Sequence, residues 1–451
     1  MNLLTVPGIK TALRSRLFPV VFQWITISAF GTVILSALFG VNNAGQNFGM
    51  ALAWRVWWPL LPLSFLFLGR FWCAICPFAW ITDWIQKAVG VRLPVPRPLR
   101  RYGPWLIGGS FILLSYLDEA WGFSNDARKT GYLLLAVLAT VIFFAAFFER
   151  RAFCRYVCFV GAFAANYSRA GMLELRADRD RCRDCSAQGC YRGTSCTAGC
   201  PVFLLAPGVT DSGTCELCAN CVKNCPRDAL RVSTRKPAKE LWSVEWSTAG
   251  ACLSDAILAM MVAGAVLIEQ FAQAGGWNRM VAAVGATLHL DPYGSFPFLY
   301  AALLAMFIAA PLLGSLLAAC ASQGLAGRVN LAALKQSFSF LGYAVIPLAL
   351  ASHVAHGLDR VLTWSRSVPF ALASIAGCFP ANNRAAWLPW PAVFWIEVGV
   401  LALGAAASLY VSFRLSTRTA SHARWIVFAP NCLLLLLLLA ANLYPVLTRV
   451  P

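Results

Sequence analysis

The chain has 451 residues, of which 59% are hydrophobic and only 12% charged, with 37 basic against 19 acidic side chains. A mean hydropathy of +0.65 excludes an ordinary soluble globule, which cannot hide that much apolar surface, so the bilayer must be its solvent. The net charge of +18 and the 17 cysteines would suit nucleic-acid binding or a disulfide scaffold, but their distribution along the chain argues against both.

Nine apolar segments are long enough to cross a membrane at about 20 residues per crossing. Lys10, Arg14 and Arg16 precede the first, 17–40, which is longer than a signal-peptide core and predicts an uncleaved span starting inside. The second, 50–69, runs into "GRFWCAICPFAW". The third, 103–119, is short and ends in "YLDEAWG"; the fourth, 130–148, runs into "RRAFCRYVCFVGAF". Both hairpins thus end in arginine, aromatics and a cysteine pair. This weak repeat predicts two halves related by an axis along the membrane normal, with the pairs facing each other.

A polar stretch, 165–245, follows and holds nine cysteines. Five further spans are expected at 249–271, 298–319, 339–362, 390–413 and 425–447. The reading is an all-α polytopic protein with an inserted small α/β two-cluster ferredoxin-like domain. The boundaries expected are 1–164 for the two hairpins, 165–245 for the insert and 246–451 for the C-terminal membrane domain. All but eight of the 37 basic residues fall on one side: Arg55, Arg128, Lys129, Arg279, Arg360, Arg366, Arg384 and Arg449 are the exceptions. The positive charge is therefore mostly topology. It puts the N-terminus and the insert in the cytoplasm and the C-terminus across the membrane, and leaves nucleic acid without a case.

Within the insert, "CELCANCVKNCP" carries Cys215, Cys218, Cys221 and Cys225-Pro226 at C-x2-C-x2-C-x3-C-P, the spacing that wraps a [4Fe–4S] cube. The earlier run, "CRDCSAQGCYRGTSCTAGCP", is a stretched version with Cys182, Cys185, Cys190, Cys196 and Cys200-Pro201. In two-cluster ferredoxins the fourth ligand crosses to the other cube. That rule gives one cube on Cys182, Cys185, Cys190 and Cys225, and another on Cys215, Cys218, Cys221 and Cys200. Cys196 is left over, or replaces Cys190. Paired C-x2-C motifs also suit zinc, but nine thiols without histidine and two Cys-Pro endings favour iron–sulfur.

Cys73/Cys76 and Cys154/Cys158 stand at matching span ends. Four thiols there suit a third cluster, copper(I) held by soft ligands, or a cycling dithiol. Cys252, Cys320, Cys378 and Cys432 are solitary and read as packing. In the seventh span "ASHVAHGLDRVL" steps His353, His356 and Asp359 by three. Intramembrane ionisable groups are functional candidates, here for a proton-accepting quinol site or a metal. Their place in the outer third, near water, equally suits a plain helix end. Haem b would need a second imidazole, and His289 and His422 lie in loops. No phosphate loop or dinucleotide fingerprint is present.

On "CAICP", "CRYVC" and the two cysteine runs, residues 17–235 resemble the polytopic iron–sulfur family that includes NapH and the membrane part of NosR, with parts similar to CcoG. The family's membrane motif is C-x3-C-P; here the first pair is C-x2-C-P, and the second has Phe159 where the proline would stand. The resemblance implies a multi-pass protein of the bacterial inner membrane, embedded in lipid. It implies two [4Fe–4S] clusters exchanging electrons with the quinone pool or with a redox partner, a periplasmic reductase or a maturation system. Such a protein moves electrons and transforms no substrate of its own. A copper or metal maturation factor, or an assembly and anchor subunit with structural clusters, are the alternatives.

Overall fold

The computed structural model describes residues 2–243, 249–327, 330–375, 386–419 and 424–449. Cys378, His422 and the side chain of Cys252 lie outside the described residues. Among the described residues, eight helices are long and apolar enough to cross a membrane. The remaining expected span, 103–119, lies in a longer helix, Arg97–Trp121, whose ends carry Arg97, Arg100 and Arg101 on one side and Asp118 and Glu119 on the other.

The chain begins with a short helix, α1 (Pro7–Arg14), before the first span, α2 (Val20–Phe39). The second span, α3 (Phe48–Leu68), is wound as a π-helix over Ala51–Trp57. Its cause is local. Pro59 and Pro62 lack the N–H that would close the α-helical ladder, and their rings crowd the carbonyls four residues back. The Trp58 N–H reaches five residues back instead, to the Ala53 carbonyl. After a five-residue turn, Phe71–Ile75, the amphipathic α4 (Pro77–Ala88) leads to α5 (Arg97–Trp121). That helix ends at Gly122, whose left-handed φ of +67° lets its N–H cap Asp118. The fourth span, α6 (Ala127–Phe147), opens on Asp126, whose carboxylate accepts the Lys129 N–H at 3.0 Å.

The insert follows α7 (Gly161–Ala170). Its sheet has two antiparallel strands, β1 (Leu173–Ala177) and β2 (Leu230–Thr234), paired with Leu175 opposite Val232. Leu175, Leu230 and Val232 turn inward on a small core shared with Cys190, Cys215, Cys221 and Cys225. The N-terminal segment joins this core: Leu3, Leu4 and Leu13 pack on it, Asn2 bridges to Ser233, and Lys10 pairs with Asp228 at 3.0 Å.

In the C-terminal half, α8 (Ala249–Phe271), α9 (Phe296–Leu325), α11 (Trp390–Thr419) and α12 (Arg424–Thr448) surround α10 (Leu331–Trp364). The most apolar stretch of α10 is entirely buried in protein. Small residues allow the close approach: Gly342 lies against Ala256 of α8, and Gly357 against the backbone of Pro59 in α3. The hairpins and the C-terminal helices share one apolar core, with Phe65, Phe163, Leu258, Leu303 and Val345 among its members.

Candidate functional site

The insert's thiols fall into the two expected groups. Cys182, Cys185, Cys190 and Cys225 line one cavity, and Cys200, Cys215, Cys218 and Cys221 line another. The loops are built for this: Gln188, Leu217, Ala219 and Asp228 take left-handed φ, turning backbone N–H groups toward the sulfurs as anion-binding nests do. Cys225 Sγ, for example, accepts the Ala229 N–H at 3.4 Å. Cys196 is exposed and lines a third cleft with Arg14, Arg16 and Lys223, which Cys218 and Cys225 also border. Burial pushes the Cys215 thiol up to about 11 and the Cys218 thiol up to about 12. Such thiols stay protonated at neutral pH unless a metal takes the proton's place. Among the described residues no three His, Cys, Asp or Glu side chains converge closely enough to share one ion. A cube does not ask that of them, because its four thiolates sit on four separate irons. The donor set fits [4Fe–4S] chemistry.

The two membrane-edge pairs meet. Cys76 lies beside Cys158 and Cys73, and Cys154 lies beside Cys158 and Cys76, close enough to act on one another electrostatically. Although the second pair lacks the proline, both pairs end alike. Cys76 caps α4 and faces the N–H groups of Phe78 and Ala79; Cys158 stands before α7 and faces those of Val160 and Gly161. Burial raises all four thiols, Cys158 to about 11.

Four charged residues that the sequence analysis did not single out join this thiol centre to the insert. Arg151 pairs with Glu216, which sits between Cys215 and Cys218, and with Asp83 of α4 at 2.8 Å. Arg70 touches Cys73 and donates to the Gly213 carbonyl at 2.6 Å. The signal was available: Arg70 and Arg151 each stand three residues before the first cysteine of their pair. Burial pushes the Asp83 carboxyl up, but Arg151 and Arg150 outweigh it and hold it at about 2.

The expectation that His353, His356 and Asp359 lie near water is overturned. They are 2%, 5% and 7% exposed, because α3, α8 and α11 enclose α10. His353 Nδ1 faces the Tyr167 hydroxyl at 3.3 Å, and neither nitrogen of His356 has a partner among the described residues. Asp359 and Glu397 both bind Arg449, at 3.2 and 3.1 Å. A run of aromatic rings connects the thiols to this histidine: Trp72 to Trp57 at 5.7 Å, Trp57 to Trp58 at 5.9 Å, and Trp58 to His353 at 6.4 Å between centroids.

A family model described as a 4Fe-4S binding domain matches residues 50–96 and 130–174, the two stretches that contain the membrane-edge pairs. The chain is 31% identical to the uncharacterized protein MJ0750 of Methanocaldococcus jannaschii, over 37% of this chain and 74% of that one. It is 26% identical to the methylamine utilization ferredoxin-type protein MauN of Paracoccus denitrificans, over 44% and 74% respectively. With the putative electron transport protein YccM of Escherichia coli the identity is 28%, over 48% of this chain and 64% of the relative. No solved structure matches.

Proposed function

The chain belongs to the family of polytopic membrane proteins with a 4Fe–4S binding domain, the NapH and NosR type, and from that premise we propose that it passes electrons between two clusters in its insert and a quinone in the bilayer. Cys182, Cys185, Cys190 and Cys225 would hold one cluster, and Cys200, Cys215, Cys218 and Cys221 the other. The observation that carries the reading is the sorting of eight thiols into two cavities, each lined by three cysteines of one run and the fourth of the other.

Cys73, Cys76, Cys154 and Cys158 would hold a third cluster between the insert and the lipid. Its support is the convergence of the four thiols and their ion-paired contact with the loop of Cys215 and Cys218. Bound clusters supply one-electron steps. A quinol gives up two electrons and two protons, so the membrane side must also handle protons, for which His353 and His356 are the buried candidates. We place the insert on the cytoplasmic side of a bacterial inner membrane, by the excess of lysine and arginine there. A copper-handling role is the second reading, favoured by the same four buried, soft thiols.

Anaerobic purification with iron, sulfide and copper counts, followed by EPR on stepwise reduction, tests this. About eight irons and eight sulfides per chain are expected from the insert, and roughly twelve of each with the membrane site filled. Zinc in the insert, with no EPR signal on reduction, would overturn the reading. Copper lost on replacing Cys73 and Cys76 would favour the second one.

A further inference from the structure

The hairpins enclose an apolar cavity of about 280 Å³ between α3, α5 and α6, close to the lower end of the roughly 300–1,000 Å³ typical of small-molecule sites. Three features mark it as more than a packing gap. Its α3 wall is the π-helical segment, which presents Trp54 and Trp57, and the Trp58 that follows it, and π-helical turns are rare and concentrate at functional sites. At one end it is walled by Phe153, Val157 and Phe159, the residues that flank Cys154 and Cys158. Finally, the indole N–H of Trp57, one of its wall residues, is buried without a partner among the described residues, an unmet donor that costs free energy.

The shape of the groove defines its ligand. Its α6 wall runs from Thr130 to Thr140, about 15 Å along a helix. The Thr130 end is closed by the bond from Trp54 Nε1 to Thr130 Oγ1 at 3.1 Å. The mouth opens between α5 and α6, where Leu113 is 55% exposed and Ala136 is exposed on the outer face of the bundle. A flat ring fits the aromatic end, and a flexible hydrocarbon fits the channel leading out. Trp58 also lies 6.1 Å from Phe159, the two rings tilted by 38°, and 6.4 Å from His353 on α10. A ring seated here therefore lies between the thiol centre and a buried imidazole.

We propose that this groove seats a lipid-soluble quinone, its ring against Trp57 and Trp58 beside Cys158 and its isoprenoid tail leaving between α5 and α6. The inference rests on the quinone reading above and gives that quinone a binding site. A phospholipid acyl chain is the rival occupant, but it has no use for three tryptophans.

The test is photolabelling of the purified protein in nanodiscs with a short-chain azidoquinone, followed by peptide mapping. Labelling of the peptides covering 51–58 and 130–140, displaced by unlabelled quinone, is the expected result. Ala136→Phe, which fills the mouth from the lipid side, should lower it by about tenfold or more. Trp57→Leu, which removes the ring from the aromatic end, should weaken displacement by about three- to tenfold. Labelling elsewhere, or labelling that excess quinone does not displace, would overturn the proposal, as would a groove filled only by a copurified acyl chain. The wild-type map decides the question even if a variant fails to fold. Iron content is measured on the same samples: full iron with no labelling sinks the quinone seat alone, whereas labelling without iron sinks the cluster reading and leaves the seat standing.

Discussion

Arg151 and Glu216 form an ion pair whose side chains are 3% and 2% exposed, tying the loop between Cys215 and Cys218 to the hairpin that carries Cys154. Asp83 completes the set from α4, paired with both Arg150 and Arg151. Two separately folded stretches are thus locked together at the point where an electron would cross from insert to membrane. Removing one partner of such a pair strands a buried charge, at a cost of about 3–5 kcal/mol.

Arg151→Leu should therefore loosen the insert from the hairpins, seen as thermal loss of cluster absorbance at lower temperature. A double change, Arg151→Met with Glu216→Leu, should recover part of that stability, since it strands neither Arg151 nor Glu216 and Asp83 keeps its pair with Arg150. The pH dependence follows in sign. Asp83, held at about 2 against an ordinary 3.8, contributes stability that is present above its ordinary value and lost as pH falls toward 2. Without Arg151 the folded-state carboxyl titrates nearer its ordinary value, so that contribution is smaller and its loss should be complete at higher pH. An acid transition unmoved by Arg151→Leu would exclude this account of Asp83.

Cys73→Ser and Cys158→Ser test the path. Serine keeps the volume but loses the thiolate. Both insert clusters should assemble and accept electrons from dithionite, while exchange with a quinol analogue falls to background. Exchange at the wild-type rate in both variants would make the four thiols structural. Cys218→Ser, by contrast, should lose one insert cluster and destabilise the whole insert, because so small a module depends on its metal for folding; iron counts and limited proteolysis separate the two outcomes.

Much of this architecture is legible in the sequence because its signals are local. Apolar run length marks the spans, and cysteine spacing with Cys-Pro endings predicts the grouping of Cys182, Cys185 and Cys190 with Cys225. The repeat is legible too: Arg70 and Arg151 occupy the same offset before Cys73 and Cys154. What escapes depends on neighbours. Nothing local in "CELC" marks Glu216 as the partner of a hairpin arginine. Pro59 and Pro62 signal a disturbed helix, but not that it winds as a π-helix and aims three tryptophans at one groove. His353 and His356 look close to water from their place along α10, and only the enclosing helices bury them. Likewise α1, which reads as a basic flank, packs on the insert through Leu13 and through the ion pair of Lys10 with the insert's Asp228.

Orientation is tested by fusion. A reporter placed near residue 240 should behave as cytoplasmic, and one placed after Pro451 as periplasmic. A periplasmic signal near residue 240 together with a cytoplasmic one after Pro451 would mean that α5, the helix with charged ends, does not cross the membrane.

His356 provides the sharpest separation of stability from function. It is 5% exposed, both ring nitrogens lack a partner among the described residues, and His353, Arg360 and Arg449 lie around it. A buried polar group left unsatisfied costs about 1–3 kcal/mol, whereas an apolar side chain of similar shape carries no such cost. His356→Leu should therefore melt at the wild-type temperature or above. If the imidazole takes up protons released by quinol, the same variant should reduce its clusters normally with dithionite but at least about tenfold more slowly with quinol. His356→Gln, polar but unable to exchange a proton near neutral pH, should be as slow as the leucine variant. Wild-type quinol rates in a stabilised His356→Leu protein would end the proton-handling role and leave the residue with no function to offset its cost.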